Sequence, residues 1–151
     1  MSQIEVGELL YEYTLSITGL TEYGTSLTEL MSGKVAMPPE GARFDVAFEG
    51  AATGEKVKGT VKGVDYLRMR PDGRFELDIH AEITTEDGQK ISLKADGVSI
   101  ARKDSSISDL KENVTLFSSY KDFTWVNVLQ VWGTGTVDLA TQVINVKGYS
   151  A

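Results

Sequence analysis

The chain has no cysteine, a single histidine and only three prolines in 151 residues. Without cysteine there is no disulfide framework and no thiolate chemistry, and the redox compartment is left open. No apolar run approaches the roughly 20 residues a membrane span needs. The opening "MSQIEVGELLYEY" has neither a basic region nor an apolar core, so no signal peptide is expected and a cytoplasmic location is. Clustered lysine and arginine are missing too. With a net charge of −7, the chain is not expected to bind nucleic acid. There is no Ser-His-Asp arrangement, no glycine-rich phosphate loop and no dinucleotide fingerprint. Neither cofactor nor metal is therefore expected. Helix-period segments, long-period repeats and low-complexity tracts are nearly or wholly absent, so residues 1–151 read as one domain.

What is present is alternation. Hydrophobic residues make up 41% and charged residues 25%, an ordinary globular balance, and 15 glycines suit a chain with many turns. Apolar and polar residues alternate over 7–17, 42–50, 56–63, 64–69, 74–84 and 90–100. Residues 74–84 and 90–100 form a hairpin about Glu86-Asp87-Gly88. A helical turn is expected within "TSLTELMSG", before Pro38-Pro39, and "SSISDLKEN" (105–113) reads as a polar connection. Three further runs, "VTLFSSY", "FTWVNVLQVWGTG" and "TVDLATQVINVKGY", read as strands. The total is eight or nine short strands, whose edges closure into an antiparallel barrel would hide. A two-sheet sandwich is the alternative. Interior glycines such as Gly59, Gly63 and Gly97, where a sheet can bend sharply, favour the barrel.

An ordered set of motifs runs through the middle of the chain: Gly63-Val64-Asp65-Tyr66, Arg70-Pro71-Asp72-Gly73, Leu77-Asp78, Thr85-Glu86-Asp87-Gly88, Ile91 and, later, Phe123-Thr124-Trp125-Val126-Asn127. Over roughly residues 42–149 this resembles the small bacterial and fungal barrels of domain-of-unknown-function family thirty-two thirty-seven. The chain departs from that pattern at Lys62-Gly63-Val64, where paired glycines are usual, and at His80, where arginine is frequent. The resemblance implies a calycin-like or allene-oxide-cyclase-like antiparallel barrel of about eight strands. It implies no activity.

Face assignment then selects candidate residues. In 74–84 one face carries Arg74, Glu76, Asp78, His80, Glu82 and Thr84, and the other Phe75, Leu77, Ile79, Ala81 and Ile83. A packed interior takes the second set, since each buried polar group would need a partner. His80 with Asp78 and Glu82 therefore reads as a solvated face. As an alternative they could form an acid–base site beneath a covering loop or subunit, or a metal site, although same-face neighbours about 7 Å apart suit one ion poorly. Asp65 shares a face with Leu67 and Met69, so it points inward, where desolvation would raise its pKa and fit it for proton transfer. The competing reading caps a turn with Asp65 at the barrel rim. Tyr11 and Tyr13 add phenols to the same interior, or else only pack it. Phe48 comes from the 42–50 strand. If Trp125 points inward so does Asn127, and a lumen with Gly59, Gly63, Ala95 and Gly97 opposite could hold one small ligand. Val126, Val128 and Trp132 would then form an outward apolar stripe, which favours a homodimer or larger assembly.

Three functions are compatible with this reading. A small enzyme would use Asp65 to move a proton on a compact, partly apolar molecule, in an isomerisation, cyclisation, hydration or elimination. A non-catalytic carrier or sensor would use the same lumen, with Tyr11, Tyr13, Phe48, Trp125 and Asn127 as ligand contacts. A structural oligomeric module would need no lumen at all.

Overall fold

In a computed structural model that describes residues 5–151, eight strands close into an antiparallel barrel. They are β1 (Leu9–Glu22), β2 (Ala42–Thr53), β3 (Gly59–Met69), β4 (Phe75–Thr84), β5 (Lys90–Ala101), β6 (Ile107–Phe117), β7 (Val131–Asp138) and β8 (Val143–Ser150). Each strand pairs with the next, and β8 returns to β1, so no edge is left unpaired. The sandwich alternative is thereby excluded. The leader expectation rests partly on residues 1–4, which lie outside those described. Among the described residues no helix is long and apolar enough to cross a membrane.

The strands follow the period-2 pattern, with three differences. The run expected over 56–63 and continued over 64–69 is one strand, β3, but it begins only at Gly59, leaving residues 56–58 outside it. Residues 107–113, which read as a connection, belong to β6, because Ser108, Leu110, Glu112, Val114 and Leu116 alternate inward. Residues 123–128, which read as the start of a strand, lie instead in a 3₁₀ helix over Lys121–Val128, in which local bonds replace a ladder. Phe123 N–H donates to Tyr120 O, and Leu129 N–H to Val126 O. The only α-helix among the described residues is the short α1 (Leu27–Met31), capped by Ser26 Oγ accepting from Glu29 N–H. The hairpin turns at Gly73 and Gly88 need left-handed backbone, with φ of 94° and 84°, and glycine takes it without a Cβ clash.

The two ends of the barrel differ. At the end holding the starts of the odd-numbered strands, Val57, Ile83, Ile91, Leu116, Val126 and Val131 are buried and pack into a solid plug. Burial of each such side chain stabilises the fold by about 1.5–3 kcal/mol. Val126 thus serves as a stopper, and the outward stripe expected from Val126, Val128 and Trp132 does not form. Val126 is fully buried while Val128 stands exposed. The assembly expected on that stripe loses its basis. The opposite end is covered by α1 and the loops after β5 and β7, with open space beneath them.

One level of the barrel is set by glycine. Tyr11 pairs with Gly148, Gly148 with Gly133, Gly133 with Glu112, and Glu112 with Gly97. A methyl group on Gly148 would overlap the Tyr11 ring. Gly148→Ala should therefore lower stability by about 1–3 kcal/mol through overpacking, measured by urea denaturation. No loss would mean that the ring has room to shift.

Candidate functional site

Beneath α1 lies a recessed, partly open cavity of about 380 Å³, walled by the half of the barrel nearest α1. Leu15, Phe48, Leu67, Phe75 and Ile79 supply apolar walls, and Ser99 and Ser108 place hydroxyl groups on one side. Tyr13, Asp65 and Glu112 also reach the cavity. Among the described residues that line it there is no lysine, arginine or histidine.

Asp65 comes from β3, on the inward face with Leu67 and Met69. Its cross-strand neighbours are Val46 and Ile79. Between the Asp65–Ile79 and Arg68–Glu76 pairs, the β3–β4 ladder is interrupted at Tyr66 and Leu67. There the Asp78 N–H turns to the side chain and donates to Asp65 Oδ1 at 3.0 Å. Burial pushes the Asp65 pKa up to about 6. The backbone N–H of Asp78 opposes that rise, and the Asp78 charge adds to it.

Glu112, on β6, is 4% exposed and faces glycine on both neighbouring strands. A Cβ at Gly133 would lie 2.9 Å from Glu112 Oε1, so the carboxyl group occupies the space left by the missing side chain. Both of its oxygens are buried without a hydrogen-bond partner. The Tyr13 phenol comes close enough to favour ionisation without completing a hydrogen bond to either oxygen. Burial, with the Asp65 charge adding, pushes the Glu112 pKa up to about 7.

Tyr13 stacks on Tyr11, with ring centroids 5.5 Å apart and planes 9° from parallel. The Tyr11 hydroxyl lies just outside the cavity lining and also lacks a partner. Burial raises the pKa of both phenols, with the Glu112 charge adding, so both remain protonated donors. Polar groups left unpaired in a native interior are rare, and three of them gather here: the Tyr11 hydroxyl and both Glu112 oxygens.

The structure thus brings Asp65, Tyr13 and Phe48 to one cavity, with Tyr11 directly behind Tyr13. Trp125 and Asn127 are not brought there. They belong to the 3₁₀ helix, outside the lumen. Asn127 Oδ1 accepts from Ser118 N–H, and Asn127 Nδ2 donates to Ser118 O, each at 2.8 Å. Trp125 Nε1 donates to Asp122 O, and the Lys56 ammonium lies over its ring. Their side chains are used in holding the 118–128 segment, a local role that strand periodicity does not reveal. Glu112 was missed by the sequence reading, although Leu110, Val114 and Leu116 share its register and the face logic used for Asp65 applies to it equally.

The row of Asp78, His80 and Glu82 is on the outer wall. His80 Nε2 and Asp78 Oδ1 are 3.2 Å apart, while Glu82 pairs with Lys62 and Lys90. The edge of one aromatic ring meets the face of the other between His80 and Tyr66. A wider depression of about 860 Å³, which His80 lines with Ala47, Val64, Glu82 and Tyr120, is open to water. Although it is larger than the lumen, water there screens every charge. The recessed lumen, with its desolvated carboxyl groups, is the better candidate. His80→Ala should change stability by no more than about 0.5 kcal/mol, as measured by thermal denaturation. A larger loss would mean that the outer row carries structure.

The family model described as "Protein of unknown function (DUF3237)" matches residues 24–142. No curated protein matches the chain. Among solved structures, a β-barrel-like protein from Acinetobacter baumannii AYE is 17% identical with a TM-score of 0.76, covering 99% of this chain and 97% of its own. A protein with unknown function from Clostridium acetobutylicum is also 17% identical at a TM-score of 0.76, covering 95% of this chain and 97% of its own. An enzyme from Penicillium herquei is 17% identical at a TM-score of 0.61, covering 99% of this chain and 98% of its own. At such identities the likeness shows the fold alone.

Proposed function

We propose that this chain, which belongs to the DUF3237 family of proteins of unknown function, is a small enzyme that transfers protons on a compact, partly apolar molecule held in its lumen. Asp65 is the base, Glu112 the acid, and the Tyr13 hydroxyl a donor to a substrate oxygen. The observation that carries this reading is the pair of carboxyl groups, Asp65 and Glu112, in one recessed cavity with no cationic side chain beside them among the described residues.

Two carboxyl groups in such surroundings do not ionise together near neutral pH. Asp65 has a backbone N–H to hold its charge, whereas Glu112 has no aligned donor and an anionic neighbour. Their environments therefore separate their roles, leaving Asp65 ionised and Glu112 protonated. Asp65 takes a proton from an O–H, or from a C–H beside a carbonyl, and Glu112 delivers one to the atom that gains electron density. In an isomerisation the net change is a relocated proton; in a cyclisation a substrate O–H adds across a C=C bond, its proton passing to carbon; in an elimination a C–H and a C–O bond break, a C=C bond forms and water leaves, and hydration is the reverse. A proton then returns from Asp65 to Glu112 through solvent and restores the starting state. No electron leaves the substrate and no covalent intermediate is needed. The Penicillium herquei enzyme of the same fold supports the view that such a barrel can house catalysis.

The test is proton exchange. Enolisable ketones and enones are incubated with the protein in deuterium oxide, and deuterium at carbon is followed by NMR. The native chain should accelerate exchange for at least one compound class, and Asp65→Asn should remove the acceleration. Equal exchange in the two proteins would end the proposal.

A further inference from the structure

We infer that the lumen takes an uncharged ligand, one with a hydroxyl or carbonyl oxygen at one end and an apolar body, and that it rejects organic anions of the same shape. The inference rests on the lumen being the binding site, as proposed above, and adds the chemical class of what enters.

Three observations converge on it. The first is the charge of the lining: Asp65 and Glu112 are there, and no cationic side chain accompanies them among the described residues. A carboxylate or phosphate entering would give up its water, find no lysine or arginine, and face like charge. Each of these raises its free energy. Substrates carried on a nucleotide or a phosphorylated tether are disfavoured for the same reason.

The second is the mixture of polar groups. The Tyr13 phenol donates, Asp65 accepts, and Glu112 does either according to its proton. Both Glu112 oxygens lack protein partners and remain available. A hydroxyl oxygen can donate and accept, and a carbonyl oxygen can receive two donors, so both match this set. An ammonium group donates only and leaves the phenol unanswered.

The third is shape. At about 380 Å³ the cavity is near the lower end of the range of small-molecule sites, about 300–1,000 Å³. Leu15, Phe48, Leu67, Phe75 and Ile79 enclose the remainder of the space, which suits a body of one or two rings.

The test is a matched series measured by isothermal titration calorimetry at about pH 6.5, where an aromatic carboxylic acid is ionised while Glu112 keeps its proton. The probes are a naphthol, a tetralone, the corresponding naphthoate and a naphthylmethylammonium ion. The naphthol or the tetralone should bind at least about tenfold more tightly than the naphthoate. In the double variant Asp65→Asn/Glu112→Gln the naphthoate should close that gap, and either single variant should move in the same direction. Native protein that binds the naphthoate as well as the naphthol, that prefers the ammonium, or that binds neither neutral probe would overturn the inference. Selective binding without proton exchange would sink the enzymatic reading and leave this one standing. Exchange on an anionic substrate would do the reverse.

Discussion

Replacing Asp65 by asparagine should lower turnover by about 10²–10⁴-fold, the usual contribution of a positioned general base, without unfolding the barrel. The two effects separate because charge and shape are separable at this position. Asparagine keeps an oxygen that can accept the Asp78 N–H, so the interruption in the β3–β4 ladder is still satisfied. What it loses is the ability to take a proton. Stability should move the other way. Ionising a half-buried carboxyl group whose pKa has risen from 3.8 to about 6 costs at most about 3 kcal/mol above that pH. Asparagine removes that cost but introduces an amide N–H₂ that needs an acceptor, a loss of about 1–3 kcal/mol. At about pH 8 the variant should therefore match or exceed the native midpoint, each net kcal/mol being worth about 2–4 °C. Kinetics and a thermal melt on one preparation check both halves. Full activity in the variant would dismiss Asp65 as the base. A midpoint lowered as far as a core truncation lowers it would mean that the charge supports the fold.

The barrel was legible because one face of each strand is buried, which writes burial into the sequence as a period of two. The same rule placed Asp65 on the inward face through Leu67 and Met69, and set His80 on the outer wall with Arg74 and Glu76. Two failures show what the rule does not carry. Residues 123–128 are apolar on both faces, which periodicity takes for a doubly buried strand. The same composition also suits a stopper with one residue, Val126, driven into the barrel end, where the Trp125 side chain bonds to the backbone three residues before it and Asn127 to that of Ser118, nine residues before it. Glu112 was hidden for a different reason. Its neighbours Ser108, Asp109, Lys111 and Asn113 make the segment polar overall, and a polar segment between strands reads as a loop. The decisive clue was non-local: Glu112 needs Gly97 and Gly133 beside it, and those pairings exist only once β5, β6 and β7 are in register.

The native chain should lose stability as pH rises from about 4 to about 7, opposite to the trend given by carboxylates held in ion pairs. Glu112 and Asp65 have folded pKa values of about 7 and about 6, against ordinary values of 4.5 and 3.8. Below about pH 4 both are protonated in the folded and unfolded chains alike, so neither weakens the fold. Between about pH 4 and 7 the unfolded chain has released these protons while the folded chain still holds them. The folded state then binds more protons, and raising the pH favours unfolding. Above about pH 7 the loss levels off at about 3 kcal/mol for each group, and their mutual repulsion makes about 6 kcal/mol an upper figure for the pair. The Tyr11 and Tyr13 phenols remain protonated across this window. Asp72, Asp109 and Asp138, whose pKa values are lowered by Arg70, by Arg102 and by Ser106 respectively, act the other way and only at more acid pH. Stability should therefore peak near pH 4–5. Urea denaturation at about pH 5 and about pH 8 measures the difference, and Glu112→Gln should remove about half of it, since glutamine does not titrate. Equal stability at the two pH values would mean that water or an unseen partner already relieves the buried pair. Greater stability at pH 8 would mean that the two carboxyl groups are not desolvated in the lumen, and the acid–base proposal would fall with them.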